Sequence, residues 1–158
     1  MNKYEELQEM AVQDNVNVIS YRFESKRIKG LYCDRTVALS SALADTSEKT
    51  CVLAEELGHH HTTAGNILDQ QDVSNRKQER RARIWAYDHL VNLFGIIRAH
   101  NAGCQNTFEM AEYLGITEEF LKDALDAYRS KYGTGVRAGE YWIIFEPGLA
   151  VVKITETW

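Results

Sequence analysis

Proline is almost missing from this chain, one residue in 158, so there is no room for a Pro-rich linker. Cysteine is scarce and odd in number. Cys33, Cys51 and Cys104 form no C-x-x-C pair, which argues against a disulfide framework or a redox pair and for reduced, small apolar packing residues. No uniformly apolar run approaches the ~18 residues of a membrane span. The segment Met1 to Asp14 is polar and acidic, without the apolar centre of a signal peptide. Cations are the minority charge, 18 Lys and Arg against 23 Asp and Glu, and the net charge of -5 disfavours nucleic acid and anionic membrane as partners. A cytoplasmic protein is expected, with neither nucleic acid nor membrane as partner.

What is present is an ordinary globular composition, 44% hydrophobic and 26% charged, in a chain of the length of one domain. Tyr4, Leu7, Met10 and Ala11 recur at helical spacing, which predicts a first helix ending near Asp14-Asn15. Val16 and Val18-Ile19, then Ile28 to Tyr32, then Thr36 to Leu39 read as three short strands of a small antiparallel sheet, with a turn at Cys33-Asp34-Arg35. A second helix is expected from about Ser47 to Thr62 or Thr63, with Gly65 and Asn66 ending it and a polar loop over Asp69 to Ser74. Ser74 or Asn75 would cap a third helix, whose apolar positions Ala82, Trp85, Ala86, Leu90 and Phe94 keep a 3.6 period through to about Gly95.

After the break at Asn101-Ala102-Gly103, Phe108 to Leu114 and the segment following Thr117 predict two helices joined by a Gly115 turn. Tyr141 to Glu146, Pro147-Gly148 and Leu149 to Ile154 then predict a β-hairpin. The division expected is a single domain over 1–158, with a catalytic core over 1–100 and a helix-turn-helix-like subdomain with its hairpin over 101–158. The outline is that of a winged helix, but its charge argues against DNA. Between Thr107 and Lys131 stand Glu109, Glu112, Glu118, Glu119, Asp123 and Asp126 against only Lys122, Arg129 and Lys131.

The chemistry concentrates in Ala54-Glu55-Glu56-Leu57-Gly58-His59-His60-His61-Thr62, which holds three of the five histidines beside two carboxylates. In the zinc-peptidase motif H-E-x-x-H, two histidines at i and i+4 share a helix face and bind metal, while the intervening Glu is the general base. Here Glu55 stands in the first ligand position, His59 in the second, and Glu56 is the candidate base. Glu55 and His59 are surface neighbours on a helix, and Glu56 lies about 100° around, where it can approach a water on the same ion. Glu79 in the next helix is the candidate third ligand, because the loop between the helices can bring its carboxylate across.

Other readings of these residues stand beside this one. Glu55 with His59, Glu56 with His60, and Glu79 with Arg83 are also the i,i+4 pairs of a solvated helix surface. His60 with Glu56 would form a ligand pair in a register shifted by one. Two carboxylates and one imidazole make a harder site than two imidazoles and one carboxylate. Zinc is the first expectation, with manganese or iron favoured by that hardness. The cluster Arg76, Lys77, Arg80, Arg81 and Arg83, interrupted by Glu79, reads as a solvated helix face.

Two stretches resemble the ImmA/IrrE family of metallo-endopeptidases of phages and integrative elements. Cys51 to His59 is similar to the family's apolar run into H-E-L-G-H, with Glu55 in place of its first His. Glu79-Arg80-Arg81-Ala82-Arg83-Ile84-Trp85-Ala86 is similar to its E-x-x-A-N-x-F-A, whose leading Glu is the third metal ligand. The resemblance implies an α+β, zincin-like metallopeptidase core with an active-site helix, followed by a helical C-terminal part. It implies site-specific cleavage of a helix-turn-helix repressor, and so derepression of a mobile element's genes. The alternative is a degenerate relative that binds and sequesters a regulator without cleaving it.

Overall fold

A computed structural model describes residues 1–63 and 72–155. The chain divides into two compact units, Met1–Leu90 and Val91–Trp158.

In the first unit, α1 (Lys3–Gln13) is opened by a reciprocal cap between Asn2 and Glu5, and it buries Leu7 and Ala11. Asn15 turns the chain with φ 57° into β1 (Asn17–Tyr21). Then come β2 (Gly30–Cys33) and β3 (Thr36–Ser40), a hairpin whose two turn residues, Asp34 and Arg35, both take positive φ. The strand order is β1-β3-β2. The hairpin is antiparallel as expected, whereas β1 joins β3 in parallel, with Val18 opposite Val37 and Ile19 opposite Ala38. Strand alternation sends Val37 and Leu39 into the core and leaves Ile19 and Leu31 on the open face.

The helix that carries the histidines is α2 (Thr46–Thr62), and Asp45 caps it by accepting from the Glu48 N–H at 2.8 Å. Cys51, Val52, Leu53, Ala54 and Leu57 are buried along it. Leu53 and Leu57 are fully enclosed, each worth about 2 kcal/mol of apolar burial. Next is α3 (Asp72–Leu90), in which Asp72, Val73 and Ser74 are already helical. The expected cap at Ser74 or Asn75 and the loop reading of 72–74 are therefore corrected. Gly65, Asn66 and the loop residues 69–71 lie outside the described residues.

The expected continuation of this helix to Gly95 is also corrected. The helical run breaks at Val91 (φ -108°, ψ -73°) and Asn92 (φ 61°), and α4 (Asn92–Asn101) starts anew, with the Asn92 side chain accepting from the Phe94 N–H.

In the second unit α5 (Thr107–Leu114) and α6 (Glu118–Tyr132) follow, with Asn106 and Thr117 as side-chain caps and Gly115 in the left-handed conformation between them. Met110, Leu114, Ile116, Phe120, Leu121 and Ile143 are buried here. The predicted hairpin gains a third strand: β4 (Gly135–Ala138) pairs with β5 (Tyr141–Ile144), which pairs with β6 (Ala150–Lys153), all antiparallel.

Candidate active site

The site is built where α2 and α3 touch. Gly58 is buried in α2, and a Cβ placed on it would lie 2.3 Å from the Ala82 carbonyl oxygen of α3. Only a residue without a side chain lets the two backbones come this close. Glu79 lies one turn before Ala82 on α3, and His59 follows Gly58 on α2. The close approach sets the His59 imidazole against the Glu79 carboxylate, with Nε2 and Oε1 3.1 Å apart. These two candidate ligands are brought together from different helices.

Glu56 sits on the same helix under strand β2. Gly30 of that strand passes so near that a Cβ there would be 2.6 Å from Val52 Cγ1 and 3.1 Å from Glu56 Cγ. The Tyr32 main-chain N–H donates to the Glu56 carboxylate. Burial first, then the Glu55 and Glu79 carboxylates, raise the Glu56 pKa to about 7, with the Tyr32 hydrogen bond opposing them. Glu55, half-buried on α2, therefore stands near enough to act on Glu56 through its charge.

Among the described residues no three His, Cys, Asp or Glu side chains form a group that could hold a metal ion. His59 and Glu79 converge as a pair, and Glu55 is not gathered with them. The donor set still fits a divalent cation in its chemistry. An imidazole nitrogen and a carboxylate oxygen meet beside the half-buried Glu56 carboxyl, whose pKa is raised by burial and then by the Glu55 and Glu79 carboxylates. That concentration of negative charge is relieved by a cation.

The histidine triplet is divided among three tasks. His60 Nδ1 lies 2.7 Å from the Tyr32 hydroxyl. Burial, then the His61 and Arg35 charges, hold its pKa down, against an opposing pull from Asp14. His61 Nε2 lies 3.0 Å from Asp14 Oδ2 at the end of α1, and its ring stacks on Trp85 at 4.8 Å. Trp85 in turn stacks on His89 at 3.9 Å. Burial lowers the His89 pKa first, with His61 and Lys3 adding to it and Asp88 opposing. Tyr32 and Asp14 were not singled out from the sequence, since no local spacing links either of them to α2.

Residues 12–126 match the family model of the M78 peptidases, described as the IrrE N-terminal-like domain. That span contains β1 to β3, α2 and α3, and with them Glu55, Glu56, His59 and Glu79. The chain belongs to the M78 peptidase family. Its α+β core, a small sheet packed on the helix that bears the motif, is the zincin-like fold that the resemblance implied. The M78 match also takes in α4, α5 and part of α6. No curated protein matches the chain. No helix among the described residues is long and apolar enough to cross a membrane. The side chains of Arg76, Lys77, Arg80, Arg81 and Arg83 are exposed around Glu79 on α3.

Proposed function

We propose that this M78 protein is a metal-dependent endopeptidase that cleaves a helix-turn-helix repressor and so releases a mobile element's genes from repression. The observation that carries the reading is the 3.1 Å approach of His59 to Glu79 beside the half-buried, main-chain-anchored Glu56. Glu55, His59 and Glu79 would hold the ion, zinc before manganese or iron, with Glu55 in the position that the family's motif gives to histidine. A bound divalent ion supplies acidification of a water and polarisation of the scissile carbonyl.

The chain's own groups do the rest. Glu56 takes the proton of the attacking water and passes it to the leaving amine. Its contact with the Tyr32 N–H fixes the carboxylate under the edge strand β2. An edge strand beside the base is where an extended substrate segment can add as one more strand.

A second reading is favoured by the lack of a three-residue ligand group among the described residues: a relative that sequesters the regulator without cutting it. One set of experiments separates them. Metal analysis of the purified protein should find a divalent ion that Glu55→Ala, His59→Ala and Glu79→Ala each reduce. Incubation with the repressor encoded nearby should give one discrete cut that Glu56→Gln abolishes. Metal content unchanged in all three variants defeats the ligand set, and a stable complex without cleavage selects the second reading.

A further inference from the structure

The open face of the first unit's sheet carries a row of exposed apolar side chains. Strand register sets Ile19 of β1 and Leu31 of β2 on either side of Ala38 in β3, in a single cross-strand row. Tyr21 continues the face from β1. Its ring meets Phe23 edge-on at 4.9 Å. Ile19 is 47% exposed, Leu31 53% and Tyr21 54%, so the described residues leave these side chains uncovered.

The loop joining β1 to β2 borders this face and has the opposite charge balance to the chain as a whole. Arg22, Lys26, Arg27 and Lys29 stand there with Glu24 alone, in a protein of net charge -5. Lys29 pairs with Glu48 at 3.4 Å. Arg22, Lys26 and Arg27 are exposed, and their side chains have no ion pair among the described residues. Contiguous apolar surface with a charged rim is the form of a recognition site.

We propose that the row Ile19, Ala38, Leu31 with its Arg22, Lys26 and Arg27 rim docks a segment of a partner protein in which carboxylates flank aliphatic or aromatic side chains. Charge complementarity selects this occupant. A second copy meeting through the same face would set three unpaired cations against three, which like-charge repulsion disfavours. An anionic membrane would attract the loop but repel the rest of an acidic chain. The docking surface is independent of the chemistry on α2 and serves a cleaving or a sequestering protein alike.

The test uses the full chain carrying Glu56→Gln, so that cleavage of the probe does not intervene. The probe is a short fluorescein-labelled peptide with a Leu-Phe-Leu centre flanked by Glu, read by fluorescence anisotropy. It should bind, and a Lys-flanked counterpart should not. Lys26→Glu with Arg27→Glu should weaken binding about tenfold, as should Leu31→Asn alone, with circular dichroism unchanged because all three positions are exposed. Absence of binding, equal binding of the two peptides, or indifference to both variants overturns the proposal. So does tighter association with phosphatidylglycerol vesicles than with the peptide, or a dimer that Leu31→Asn dissociates. None of these outcomes alters the metal analysis or the repressor digest, so this proposal and the peptidase reading fail separately.

Discussion

Replacing Gly58 by alanine tests the contact on which the site depends. The added Cβ would lie 2.3 Å from the Ala82 carbonyl oxygen, 2.9 Å from its carbon and 3.0 Å from its Cα. Relief needs roughly 1 Å of helix separation, since a carbon reaches comfortable contact only well beyond 3 Å. The obstacle is backbone, so no side chain can swing aside. Overpacking of this kind costs about 1–3 kcal/mol. Alanine's higher helix propensity returns about 1 kcal/mol, and a net loss of about 2 kcal/mol is expected at the upper end of the clash.

Gly95 in α4 is the matched control, because a Cβ there meets only Arg98 Nη2 and Leu114 Cδ2 at 3.6 Å. Gly95→Ala should gain up to about 1 kcal/mol. Urea unfolding of both variants gives the comparison. Metal affinity gives a second readout, since separation of the helices draws His59 from Glu79 in Gly58→Ala only. A Gly58→Ala protein as stable as wild type, with metal affinity intact, would refute the close-packing account.

Two further predictions follow from the same helix. The Glu56 carboxyl has a folded pKa of about 7 against 4.5 as its ordinary value, so the folded state holds the proton more tightly. Its stabilising contribution is complete below about pH 4.5 and is lost as pH rises through about 7. The loss is about 3 kcal/mol in chelator-treated protein. Glu56→Gln should flatten that part of the stability profile, and urea midpoints that fall in parallel for both proteins would contradict it. Asp45→Ala removes the side-chain acceptor for the Glu48 N–H and should cost about 1 kcal/mol. Early amide exchange confined to the first turn of α2 is the sign to look for, and exchange unchanged there would count against the cap.

What could be read without coordinates was what lies close in sequence. The motif helix, the Gly115 turn between α5 and α6 and the Asp34-Arg35 hairpin each follow from neighbouring residues, as does the start of α6 at Thr117. The break at Val91 did not show, because Val91, Leu93 and Phe94 carry the apolar pattern across it while Asn92 alone takes a left-handed backbone. Strand β4 was missed because Gly135-Val136-Arg137-Ala138 is short and begins among glycines. Parallel pairing of β1 with β3 is a matter of strand order, on which alternation is silent. In the site, Glu79 is a candidate from its place in the helix after the motif and from the family resemblance, and it lies against His59. The column from Asp14 through His61 and Trp85 to His89 joins residues distant in sequence, and no period announces it.

The threefold division of the histidines has a consequence for how far α2 can tolerate change along its length. Because successive residues point about 100° apart, His59, His60 and His61 reach α3, β2 and the end of α1 respectively. A deletion or insertion of one residue upstream in α2 would therefore turn all three imidazoles by about 100° and take each from its present neighbour. The triplet acts as an index mark that pins the helix against its surroundings. For His60 to take a ligand's place it would have to leave the Tyr32 hydroxyl.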